Sequence, residues 1–144
     1  MSATLTDAVV ALVAARPGAC YPEIQRVLGK AGFDTRGECT MTIRADLVTW
    51  SGLSEALCAA LADTIESGSL HLHALGADEA MLVHLCDGGL LALPVARRPP
   101  VDREYREPHW VPVVWYSGSG CRAESCLGRT AAARSMATAW ASPR

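Results

Sequence analysis

Residues 70–95 read LHLHALGADEAMLVHLCDGGLLALPV, and much of this stretch alternates apolar with polar side chains. A period of two puts every second residue on one face of a strand, whereas a helical period near 3.6 would scatter leucines and histidines around the axis. A turn at residues 76–79 would pair Leu75 with Ala80 and set Leu70 opposite Leu85 and Leu72 opposite Val83. His71 then faces His84 on the other side, with His73 and Cys86 beside them. Sliding the register by one residue would bury histidines and expose leucines, so burial selects the pairing. The Asp87-Gly88-Gly89 turn would lead Leu91, Leu93 and Val95 back along the same sheet.

Helical signals precede this hairpin. Thr4 with Asp7 three residues on resembles a cap, and Leu5, Val9, Leu12 and Val13 share a helical face. Pro17-Gly18 ends that helix, and Pro22 suits the first turn of a second, carrying Ile24, Val27, Leu28 and Ala31 to a Gly32 cap. The spacing predicts helices over residues 5–15 and 22–31, a loop at 34–39 and a strand through Met41, Ile43, Ala45 and Leu47. A third helix follows a Ser51 or Ser54 cap, with Leu53, Leu57, Leu61 and Ile65 inward and Gly68 as its stop. Residues 105–116, YREPHWVPVVWY, read as an edge strand or extended loop because of Pro108 and Pro112. Trp110, Val113 and Trp115 are expected to cover the core. Residues 117–144, rich in Ser, Gly, Ala and Arg, are expected to form a flexible C-terminal tail after one domain of residues 1–116.

The chain of 144 residues is half hydrophobic, enough for one core, and aromatics make up only 6%, so Ala, Val and Leu are expected to fill most of it. No basic n-region precedes the first apolar run, and no apolar stretch approaches the roughly 18 residues of a membrane span. A cytoplasmic protein with no membrane partner is the expectation, its six cysteines mostly thiols without a Cys-x-x-Cys pair. Charge is segregated. Net charge is −2, yet residues 47–96 hold six acids and no Lys or Arg, while residues 97–144 hold eight arginines against four acids.

The order TLTDAVVALVAARPG, YPEIQRVLGKAGF and LSEALCAALADTIESGSLHLH with its hairpin resembles the winged-helix (helix-turn-helix) superfamily over about residues 4–96. The resemblance implies an α+β fold of three helices with a small antiparallel β-sheet or hairpin wing, and it implies DNA binding. Two departures stand out: about twenty residues separate the second helix from the third, and the third helix and wing lack cations. Phosphate contacts come chiefly from Lys and Arg. The expected double-stranded DNA surface is therefore Arg16, Gln25, Arg26, Lys30 and Arg36, with Arg97 and Arg98 after the hairpin.

The functional expectation is a non-enzymatic binding protein, a DNA-binding regulator of a bacterial or phage genome. The alternatives are an adaptor whose acidic third helix and hairpin meet a protein partner or a second copy, and a metal-binding protein. For the last, His71, His73, His84 and Cys86 would project from one hairpin face, and imidazole with thiolate favours zinc. The same residues read as simply as the polar positions of an alternating hairpin, and no cofactor, metal or catalytic residue is expected from them. Neither a Gly-rich phosphate loop nor a pair of carboxylates set apart by environment is present in the sequence.

Overall fold

The first helix, α1 (Leu5–Ala15), starts where the Thr4 hydroxyl accepts a hydrogen bond from the Asp7 amide, at 3.1 Å, and it buries Val9, Leu12 and Val13. This computed structural model describes residues 4–75, 93–96, 105–121, 126–127 and 134–137. Gly18 turns the chain at φ +86°, where an L side chain would be strained. Helix α2 (Tyr21–Lys30) follows with Pro22 in its first turn. Helix α3 (Glu55–Glu66) is capped by Ser54, whose hydroxyl accepts from the Leu57 amide at 3.1 Å and donates to the Asp34 carbonyl at 2.7 Å. The three helices thus stand where period and caps place them.

Between α2 and α3 the chain forms a hairpin of β1 (Arg36–Arg44) and β2 (Leu47–Leu53), where a loop and a single strand were expected. Gly37 explains the difference. Leu53 lies opposite both Arg36 and Cys39, so the pairing is irregular around Gly37, and a Cβ there would lie 2.8 Å from the Leu53 carbonyl oxygen. A glycine that reads as loop punctuation is instead a point of close backbone approach within a strand. The turn falls at Ala45-Asp46, so Leu47 belongs to the returning strand.

The remaining strands are β3 (Leu70–Ala74), β4 (His109–Trp110), β5 (Val113–Ser117) and β6 (Arg134–Ala137). One sheet has the order β4-β2-β1-β6, with β4 parallel to β2 and the other neighbours antiparallel; the second pairs β3 with β5 antiparallel. The fold is α+β, with three helices and small sheets among the described residues. Helix α1 packs on α3 and β5, and α3 also packs on β1 and β3. None of the described helices is long and apolar enough to cross a membrane.

The partner of β3 is β5, in the register Leu70↔Ser117, His71↔Tyr116, Leu72↔Trp115. The partner expected for it, residues 80–86, lies outside the described residues, as does the turn after it. Strand β5 is not an edge: on its other side the Gly18 amide donates to the Trp115 carbonyl and the Trp115 amide to the Ala19 carbonyl. Pro108 and Pro112 fall just outside β4 and β5, which is how a segment with two prolines still pairs on both sides.

Few as they are, the aromatics hold the middle of the core. Tyr21 stacks on Trp50 with centroids 6.1 Å apart and meets Trp115 edge-on at 5.5 Å, while Trp110 tilts against Trp50 at 5.9 Å. Trp110, Val113 and Trp115 are buried, as their size predicts. The expectation of a flexible tail from residue 117 meets docked segments. Leu127 is buried in the core cluster with its amide donating to the Leu72 carbonyl at 2.9 Å, and β6 pairs with β1.

Candidate metal centre

Strand periodicity places His71 and His73 on the same side of β3. The end of α3 brings β3 into position: Gly68 takes φ +77°, and the Ser69 amide donates back to the Thr64 carbonyl at 2.9 Å. Leu70 and Leu72 are buried, as the alternation predicts. His71 is buried as well, 4% exposed, so the histidine face is not the solvent-facing side that a simple polar alternation implies. Both faces of β3 are covered.

What covers the histidine face comes from the far end of the chain. After β5 the backbone turns at Gly118, φ +96°, and leads to Cys121. Cys126 pairs with His73 through an antiparallel bridge, on the edge of β3 opposite β5. The ligand atoms of His71, His73, Cys121 and Cys126 all lie within 4.8 Å of one another.

The contacts fix how these groups present themselves. His71 Nδ1 lies 2.9 Å from the Gly118 carbonyl oxygen, which only accepts, so Nδ1 carries the proton and donates. That tautomer leaves the Nε2 lone pair aimed at the cluster, the orienting bond usual for metal-ligating histidines. His71 Nε2 lies 2.9 Å from His73 Nε2, and His73 Nε2 lies 3.1 Å from Cys121 Sγ. The Cys121 amide donates to Cys126 Sγ at 3.4 Å. Tyr116, across from His71 on β5, lays its ring 4.5 Å from the His73 ring and 6.0 Å from that of His71. Burial, and secondarily the neighbouring His71, hold the His73 pKa below the ordinary histidine value. Both effects favour the neutral ring, which is the form that binds metal.

Two imidazole nitrogens and two thiol sulfurs are a donor set that suits tetrahedral zinc. Zn–N bonds near 2.0–2.1 Å and Zn–S bonds near 2.3 Å require ligand–ligand edges of roughly 3.3–3.8 Å. The shortest edges, 2.9 and 3.1 Å, would open by a few tenths of an ångström around an ion, and separations of up to 4.8 Å would close by as much as about 1 Å.

Of the four metal-ligand candidates read from the sequence, the structure brings together His71 and His73; His84 and Cys86 lie outside the described residues. Cys121 and Cys126 are the ligand candidates that sequence reasoning missed. The available signal was a Cys-x4-Cys spacing close to the C-x2–4-C of structural zinc sites, obscured by the Ser/Gly-rich composition that reads as tail.

The nucleic-acid candidates are distributed differently. Arg16, Arg26, Lys30 and Arg36 are exposed, with Arg16 bonded to Glu23 at 2.9 Å. Gln25 is not on that surface. It is 5% exposed and its amide donates to the Thr35 and Gly52 carbonyls while accepting from the Trp50 indole N–H. Its three hydrogen bonds join α2 to Thr35 and to Trp50 and Gly52 of β2. Arg97 and Arg98 lie outside the described residues. Comparison of the chain with protein-family models, with curated proteins and with solved structures returns no match.

Proposed function

We propose that this protein is a zinc-binding α+β domain in which a Cys2His2 centre fastens Cys121 and Cys126 to β3, and that it acts as a binding module rather than a catalyst. The observation that carries the reading is the convergence of four ligand atoms, from two strand positions and two cysteines near the other end of the chain, within 4.8 Å. Four protein ligands fill a tetrahedral ion's coordination sphere and leave no position for water or substrate, as in structural sites. The bond from His71 Nδ1 to the Gly118 carbonyl supports the same reading, because it orients a ligand before any ion arrives.

Titration with zinc under reducing conditions, and with cobalt as a coloured substitute, tests it. One equivalent should bind, and the cobalt form should show the visible absorption of a tetrahedral ion with thiolate ligands. Cys121→Ser and His73→Ala should each weaken binding by at least tenfold. Wild-type affinity no better than that of a doubly substituted Cys121→Ser, Cys126→Ser protein would remove the reading.

A second reading, duplex DNA binding by a winged-helix-type domain, is favoured by one feature: Arg26 and Lys30 are both exposed one turn apart on α2, with Arg16 and Arg36 exposed near its ends in sequence. Under that reading log affinity for a duplex falls steeply with log salt, and replacing Arg26 and Lys30 by Ala flattens the slope. Absence of duplex binding at low salt would dismiss it.

A further inference from the structure

We propose that the metal centre is a peroxide-sensitive switch, in which Cys121 and Cys126 close a disulfide and the zinc leaves. The inference rests on the zinc reading above and adds regulation to it. Its ground is the unequal placement of the cysteines. Cys20, Cys39 and Cys58 are buried at 1%, 6% and 0% exposure, whereas Cys121 is exposed and Cys126 is partly so. Among the described residues, the two accessible sulfurs are the two that share the cluster, with ligand atoms no more than 4.8 Å apart. A disulfide needs about 2.05 Å between sulfurs, so the pair must approach by at most about 2.8 Å from the present separation of no more than 4.8 Å.

Cys121 is placed to react first. It is the more exposed of the pair, whereas Cys126 is half-buried and bridged to His73 on β3. The Cys121 thiolate attacks one oxygen of hydrogen peroxide. A sulfur–oxygen bond forms, the oxygen–oxygen bond breaks, and the departing hydroxide takes a proton to become water. Cys121 is then a sulfenic acid. The Cys126 thiolate attacks the Cys121 sulfur, the sulfur–sulfur bond forms, and the second hydroxide leaves and is protonated. In sum, two thiolates, one peroxide and two protons give one disulfide and two waters. Zinc is neither oxidised nor reduced. With both thiolates gone it retains only the two imidazoles, too few to hold it, and His71 and His73 remain unchanged for reloading once a dithiol reductant reopens the bond.

The test uses the zinc-loaded full chain. Peroxide is added with a chromogenic chelator present, and thiols are mapped by differential alkylation and mass spectrometry. One zinc should be released per chain, with the linked residues identified as Cys121 and Cys126 and the species lighter by two hydrogens. Dithiothreitol plus zinc should restore the starting form. In Cys126→Ser, Cys121 should stop at a sulfenic acid that dimedone traps. Retention of zinc by the wild type under peroxide, or release that maps to Cys86 or to any other pair, overturns the switch while leaving the zinc reading intact. A chain that takes up no zinc before peroxide is added defeats both, and the initial loading measurement tells the two failures apart.

Discussion

Two buried polar side chains on α2 show how much of this molecule is settled one residue at a time. Gln25 looks like a surface residue in the sequence, one position before Arg26, yet its amide links Thr35, Gly52 and Trp50. Nothing local distinguishes it from an exposed glutamine; the distinction is made by a hairpin that the chain has not yet formed when α2 is read. Tyr21 is the clearer case for measurement. Its hydroxyl donates to Thr49 Oγ1 at 2.8 Å, since Thr49 itself donates to the Met41 carbonyl. Burial pushes the phenol above its ordinary range. In the unfolded chain the phenol ionises near pH 10. The unfolded state therefore loses its proton first, so this contribution is fully present below about pH 10 and is lost as pH rises beyond it. Tyr21→Phe should cost about 1 kcal/mol at neutral pH through the lost hydrogen bond. It should also flatten the alkaline fall in stability, which denaturant melts at several pH values above 10 would reveal. An equally steep fall in both proteins would contradict the assignment.

Among the elements, those with self-contained signals were legible in advance. Helices α1 and α3 declare themselves through Thr4 and Ser54, whose hydroxyls cap them as their positions suggest. Strand β3 declares itself by alternation. Its neighbour could not be read in the same way, because the ladder joins Leu70 to Ser117 across most of the remaining chain, and no local rule chooses among distant partners. Half of the candidate metal centre was legible for the same reason: His71 and His73 lie on a patterned strand, whereas Cys121 and Cys126 belong to a stretch of sequence whose composition resembles a tail. The β1–β2 hairpin was hidden by Gly37, where an added Cβ would approach the Leu53 carbonyl at 2.8 Å and Ser54 Cα at 3.0 Å. Both obstacles are backbone atoms, so a strand must move to admit a methyl group. Gly37→Ala should lower stability by about 1–3 kcal/mol in urea unfolding. Gly32→Ala serves as the contrast: nothing lies within 4 Å of its Cβ position, and its cost comes from φ +98° alone. A Gly37→Ala protein as stable as wild type would show that β1 does not approach β2 as closely as described.

At the scale of the whole molecule, zinc removal tests how the C-terminal segments are held. An ion that binds only the folded chain stabilises it by about 2.7 kcal/mol at a free concentration a hundredfold above its Kd. For a domain of this size chelation should then lower Tm by roughly 5–10 °C. The Leu127 amide, bonded to the Leu72 carbonyl beside the cluster, should exchange with solvent faster in the stripped protein. Amides in α1, which supplies none of the ligand atoms, should change less at temperatures well below Tm. Uniform exchange with and without zinc would mean that the segment is held by apolar packing of Leu127 and its neighbours rather than by metal.

The Cys121–His73 contact spans 48 residues. A ribosome therefore delivers both histidines well before either sulfur, and β3 also waits for β5 to be made. The helices and the β1–β2 hairpin can gather while synthesis continues, but this corner of the domain stays open until its last ligand emerges. Completion of the centre is consequently a late event in the birth of the protein, and a chain cut short before Cys126 lacks the means to fasten it.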